Sequence, residues 1–223
     1  PRIGPQREVK KALEAYWGDK ISAEELLKVA KEQRLNTYAT IKEQGVDFVP
    51  TGTFSLYDHV LDMSNTLGII PEAYATSGLS QLDTYFAMAR GHQKGGVDLP
   101  ATEMKKWFDS NYHYLVPEFS EKSEFKLNDN KPVDDFIEAK EAGYNARPVI
   151  LGPLTLLWLG KTSKDAQDPN FNRYSLLPKL AQTYVQLFEK LAAAGAPWVQ
   201  LDEPILVVDT AKQLSNEFKQ TYE

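Results

Sequence analysis

Arg147-Pro148-Val149-Ile150-Leu151-Gly152 is the stretch whose reading decides the fold. It is a short, continuous apolar run ended by a glycine, the pattern of a strand covered on both faces. Three other stretches read the same way: Asp47-Phe48-Val49-Pro50-Thr51-Gly52, Tyr112 to Val116, and Trp198-Val199-Gln200-Leu201. Each strand ends in a polar or proline-containing tip: Val49-Pro50-Thr51, Val116-Pro117-Glu118, Leu151-Gly152-Pro153 and Leu201-Asp202-Glu203-Pro204.

Between these strands the periodicity predicts helices. Arg7 to Trp17 is amphipathic, with Val9 and Leu13 on one face. Ser22 followed by Glu25 is a capping box that opens a long helix to about Glu43. Tyr57 to Leu67 and Ser80 to Arg90 follow, with Asp58 as a cap and His59 packed beside it. Asn130-Lys131-Pro132 starts a helix to about Glu141, closed by Gly143. Leu176 to Leu191 is strongly amphipathic, and Leu214 to Tyr222 is the last helical segment. Gly91 to Leu99 reads as a mobile loop.

Helices alternating with short buried strands predict an α/β fold with a parallel sheet covered by helices. Functional tips at strand C-termini are the habit of (βα)8 barrels. An open doubly wound sheet usually carries a glycine-rich phosphate loop, and neither GxGxxG nor a P-loop occurs here. A closed barrel needs eight strands and ~250 residues. Only the four strands above are clear, with the tail of another in Pro1-Arg2-Ile3. We therefore expect a (βα)8, TIM-barrel type of fold, with residues 1–223 forming roughly the first half of a barrel and the rest supplied by a longer protein. The first residue, Pro1, also suggests processing or a piece of a longer chain.

Composition narrows the function. Of 223 residues, 42% are hydrophobic and 25% charged, as in ordinary globular chains. A net charge of -6 argues against nucleic acid or an acidic membrane as partner. Any anion site must be a local basic patch. The absence of cysteine excludes disulfides and thiolate metal ligands, and fits a reducing compartment. No apolar run is long enough to span a membrane, and the first 20 residues have no apolar signal-peptide core, so a cytoplasmic location is expected.

Three groups of residues carry candidate chemistry. Arg2, Arg7, Lys10 and Lys11 gather at a helix start, where spacing and free N–H groups suit carboxylates; a solvated basic face would look the same. Lys106-Trp107, with Tyr112, His113 and Tyr114, pairs a cation with aromatic surface; an aromatic core entered by a strand is the rival reading. Asp202-Glu203-Pro204 places two carboxylates at a strand tip, but strand alternation would turn only one of them inward. His59, His92 and His113 show no metal-ligand spacing, and there is no serine nucleophile elbow.

Longer motifs carry a resemblance. Pro1-Arg2-Ile3-Gly4, Arg7-Glu8-Val9-Lys10-Lys11-Ala12, Tyr16-Trp17, Tyr57 to Leu61, Glu103 to Phe119, Val149 to Gly160 and Trp198 to Pro204 resemble the start of cobalamin-independent methionine synthases. These are the 5-methyltetrahydropteroyltriglutamate–homocysteine methyltransferases. The resemblance implies two (βα)8 barrels, with this chain in the N-terminal one. It implies a methyl group passed from 5-methyltetrahydrofolate polyglutamate to homocysteine, without cobalamin. It implies a zinc ion in the C-terminal barrel, held by ligands absent here, that would lower the homocysteine thiol pKa. It assigns the folate polyglutamate tail to Arg7, Glu8, Val9, Lys10 and Lys106, and no catalytic or metal-binding residue to this chain. The family's catalytic barrel continues its Asp-Glu-Pro motif to another Glu, where this chain has Val208; Asp202 therefore reads as structural. Two alternatives stay open. One is a scaffold or interaction fragment without ligand affinity; the other is a barrel hydrolase or lyase using Asp202 or Glu203.

Overall fold

The computed structural model describes residues 3–223, so Arg2 and most of the expected Pro1-Arg2-Ile3 strand tail lie outside the described residues. Helices are α1 (Glu8–Trp17), α2 (Ala23–Glu43), α3 (His59–Thr66), α4 (Glu72–Ala75), α5 (Gln81–Arg90), α6 (Lys131–Glu141), α7 (Pro153–Leu159), α8 (Leu177–Ala193) and α9 (Ser215–Tyr222). Strands are β1 (Val49–Thr51), β2 (His92–Lys94), β3 (Val97–Leu99), β4 (Met104–Lys106), β5 (His113–Leu115), β6 (Glu118–Phe119), β7 (Ala146–Leu151), β8 (Lys161–Thr162) and β9 (Gln200–Asp202).

The fold is α/β. Its main sheet is parallel, in the order β1-β7-β9. The sheet grows in one direction, and helices bridge each return. Among the described residues the strands do not close into a barrel. One expected member of this sheet is elsewhere. Tyr112 to Val116 supplies β5, which pairs antiparallel with β4 (Lys106 opposite His113), outside the main sheet. The turn at Ser110 lets the chain double back, and Trp107 N–H bonds the Tyr112 carbonyl at 2.7 Å. β6 instead runs parallel to β8. The expected mobile loop at Gly91 to Leu99 is a hairpin of β2 and β3. Gly95 and Gly96, at φ 60° and 83°, form the tight two-residue turn that demands left-handed backbone at both positions. α7, which the apolar run Leu154 to Leu159 hid, follows β7 directly.

Local signals explain the long elements. Ser22 and Glu25 make the expected reciprocal cap on α2, at 3.2 and 2.7 Å. Gly143 sits at φ 86° just past α6, as its closing role requires. α8 buries Leu177, Leu180, Tyr184, Leu187 and Leu191, a stripe at helical spacing.

Two apolar clusters result. The larger joins β7, α7 and α8 through Leu154, Leu157, Leu180 and Leu187. The second joins α1, α2 and α5 through Val9, Leu26, Ala30 and Phe86. At the end of α7 the chain passes so close to Phe119 that a Cβ on Gly160 would lie 2.2 Å from the ring. Phe119 is fully buried and cannot swing away. Gly160→Ala should therefore destabilise the fold by about 1–3 kcal/mol, read as a lowered urea midpoint at constant slope.

Candidate functional site

The start of α1 is built by a short knot of backbone. Gly4, at φ 82°, lets the loop fold under the helix, and a Cβ there would collide with the Glu8 carboxylate. Arg7 N–H bonds the Gly4 carbonyl at 3.1 Å and Val9 N–H bonds the Ile3 carbonyl at 3.0 Å. Glu8 Oε2 accepts from Gln6 N–H at 3.0 Å, so Glu8 holds the loop closed. Arg7 itself is left-handed, at φ 63° and ψ 36°, a conformation costly for a non-glycine residue. The knot presents Arg7 and Lys10 outward and turns Val9, only 1% exposed, into the core. The Arg7 side chain makes no capping hydrogen bond at the N-terminus of α1.

The β4–β5 hairpin faces this helix start. A groove of about 340 Å³ between them is lined by Val9 and Leu13 on one side and Met104, Tyr112 and His113 on the other. Strand alternation puts Lys106 on the same face as Met104, and the register sets it directly opposite His113. Lys106 is therefore on the groove face. Lys10 pairs loosely with Glu14 at 3.5 Å and Lys105 with Glu103 at 3.5 Å. Arg7, Lys11 and Lys106 form no ion pair among the described residues. The five residues singled out in the sequence thus divide. Arg7, Lys10 and Lys106 are exposed cations, the first two on α1 and the third on the hairpin, Glu8 is a structural staple, and Val9 is groove wall. Tyr112 and Asn111 also line the groove, and only the pairing of β5 with β4 reveals this.

A second concavity of about 590 Å³ lies at the C-terminal ends of β1, β7 and β9. Asp202 and Glu203 both line it, contrary to the alternation expected of a strand. β9 ends at Asp202, and Glu203 has turned to φ -115° and ψ 69°. Glu203 is fully engaged. It accepts from Leu154 N–H (3.0 Å), Thr155 N–H (2.7 Å), Thr155 Oγ1 (2.6 Å) and the Tyr222 hydroxyl (2.6 Å). It caps α7 rather than waiting for a substrate.

Behind this cleft, Lys131 donates to the Phe54 carbonyl at 2.9 Å and to Asp135 at 2.6 Å, and stands 3.6 Å from Asp62. Burial opposes its charge, but Asp135 and Asp62 outweigh that and hold its pKa above the usual lysine value. Asp62 accepts the Tyr85 hydroxyl at 2.7 Å. Burial pushes its pKa up, against the pull of Lys131. Burial likewise raises Asp58, opposed by N–H donors from Leu115, Leu61 and Val60. His59 packs edge-on to Trp107 at 4.5 Å. Among the described residues no group of three His, Asp or Glu side chains is placed to hold a metal ion. No described helix is long and apolar enough to cross a membrane.

Comparison with known proteins places this geometry. The family described as the N-terminal domain of cobalamin-independent synthase matches residues 1–223. The chain is 52% identical over 229 residues to a probable 5-methyltetrahydropteroyltriglutamate–homocysteine methyltransferase of Schizosaccharomyces pombe. It is 50% identical over 228 residues to the enzyme of that name from Saccharomyces cerevisiae, and 48% identical over 233 residues to that of Chelativorans. Each match covers 100% of this chain. The chain belongs to the cobalamin-independent synthase family, within its N-terminal domain. It spans 30% of the length of these relatives.

The engaged carboxylate and the buried one give separate expectations. Glu203→Ala strands the first N–H groups of α7 and should cost about 2–3 kcal/mol in urea unfolding, while Asp202→Asn should leave stability unchanged. Asp62 has a folded pKa above its unfolded value, so it binds more protons folded than unfolded between those two values. Its contribution to stability therefore falls as pH rises through that window. Asp62→Asn should remove this component, so that the difference in unfolding free energy between variant and parent grows in the variant's favour as pH rises from the acid side of the window.

Proposed function

We propose that this chain is the first part of the N-terminal (βα)8 barrel of a methyltransferase that passes a methyl group from 5-methyltetrahydrofolate polyglutamate to homocysteine. In this reading residues 1–223 contribute scaffold and the polyglutamate site, in a cytoplasmic enzyme that uses no cobalamin. The observation that carries it is the groove between α1 and the β4–β5 hairpin, lined by Val9, Leu13, Met104 and His113, with exposed Arg7 and Lys10 at the start of α1 and exposed Lys106 paired with His113 on the hairpin. A chain of glutamates offers carboxylates at regular intervals. Exposed lysines and an arginine on two separate elements can meet several of them at once, and charge-assisted contacts of this kind weaken with salt. The names of the relatives in the two yeasts and in Chelativorans carry the same substrate and the same acceptor, which supports this reading. The one-directional parallel sheet, with open edges at β1 and β9, supports the part-barrel reading. Homocysteine and zinc would then meet in the other barrel, where this segment takes no part in the chemistry.

Calorimetric titration of this chain with the triglutamate and monoglutamate forms of 5-methyltetrahydrofolate tests the site. The triglutamate should bind more tightly, and its advantage should shrink between low and moderate salt. Lys10→Ala and Lys106→Ala should each weaken it about 3- to 10-fold, the order of one exposed charge contact. Equal affinity for the two forms would remove the polyglutamate assignment and favour a scaffold without a ligand of its own.

A further inference from the structure

We propose that the cleft at the C-terminal ends of β1, β7 and β9 is a second small-molecule site, which takes a small organic ammonium ion with an apolar body. The proposal stands apart from the polyglutamate reading and uses none of its residues. The cleft holds about 590 Å³. Sites for small ligands commonly span roughly 300–1,000 Å³. Met63, Val149, Leu151 and Leu201 give it apolar walls. The Trp107 ring lines it as well, braced edge-on by His59, Phe108 and Tyr114 at 4.5, 4.9 and 6.2 Å. An aromatic face fixed in this way is a partner for a cation.

The charges around the cleft decide the sign of the ligand. Among the described residues Lys131 is the one lysine or arginine lining it, beside His59, and its amine is committed to Phe54, Asp135 and Asp62. Glu203 is committed to the start of α7 and to Tyr222. Asp202 is different. It is exposed at the end of β9, and its carboxylate receives only the Gln200 side-chain amide at 2.8 Å. Deeper in, Asp62 is 8% exposed and its second oxygen accepts no hydrogen bond. Asp62 is answered by Lys131 at 3.6 Å, so Asp202 is a carboxylate of the cleft without an ionic partner among the described residues. A primary ammonium group answers Asp202, while its hydrocarbon part covers the apolar wall. A carboxylate, alone or in a zwitterion, would face Asp202 without a partner.

The test is calorimetric titration at pH 8, where histidine is neutral, with phenethylammonium chloride, 3-phenylpropionate and phenylalanine as probes. Phenethylammonium should bind saturably at one site and the other two should not. Asp202→Asn should weaken it about tenfold, the order of one charge-assisted hydrogen bond, at an unchanged melting temperature. Asp209→Asn, on an exposed segment outside the cleft, should leave the affinity as it was. The proposal is overturned by the absence of saturable ammonium binding, or by equal binding of either carboxylate probe. It is equally overturned by a loss in Asp209→Asn that matches Asp202→Asn, which would mark unspecific attraction to an acidic chain.

Discussion

Two carboxylates one helical turn apart, Asp58 and Asp62 on the first turns of α3, hold the structure together. Asp58 accepts the N–H groups of Val60 (3.2 Å), Leu61 (2.9 Å) and Leu115 (3.0 Å), so one side chain caps its own helix and fastens β5 to it. Asp62 receives the Tyr85 hydroxyl, whose oxygen in turn accepts Tyr57 N–H at 3.1 Å. On its other side stands Lys131, then Asp135, then Arg34, which grips Glu138 through two bonds of 2.7 and 2.8 Å. The chain of contacts crosses α3, α5, α6 and α2. Isolated, a buried carboxylate would cost several kcal/mol. Connected, each group satisfies the next, and breaking any link leaves an uncompensated charge inside the protein.

The same helix separates the two apolar clusters. Val60 and Met63 pack into the larger one, Leu61 into the smaller. Strand β5 divides in the same manner, with Tyr114 in one cluster and Leu115 in the other. A polar spine between two apolar masses is what keeps them in register, because hydrophobic contact alone is non-directional.

The parts legible in the sequence were those fixed by short-range physics. The Ser22–Glu25 cap, the Asp58 cap, the closing Gly143 and the apolar stripe of α8 depend on residues within a few positions of each other. The α/β class followed from continuous apolar strands between helices. Pairing was not legible. Tyr112 to Val116 has the composition of a buried strand, yet its partner is the lysine-bearing β4, chosen by the turn between them. Nor could alternation foresee that Glu203 leaves the strand to cap α7, since Leu154 and Thr155 lie 49 and 48 positions away. For the groove, the sequence supplied the cations. It could not supply the fold that turns Glu8 into a staple and sets Lys106 opposite His113.

The groove and the cleft are neighbours of opposite character, and strand geometry explains how one short hairpin serves both. Lys106 faces the groove, while the next residue, Trp107, faces the cleft. Trp107 still bonds across the hairpin to Tyr112, so the alternation of a strand carries through it. At the start of α3 the division repeats, with Asp58 on the groove side and His59 on the cleft side. Lys106 stands on the groove face, while Asp202, a carboxylate without an ionic partner among the described residues, lines the cleft. The polar spine runs between them, with Asp58 lining the groove and Asp62 the cleft. Because both carboxylates stand on α3, that helix fixes how far apart the two concavities lie.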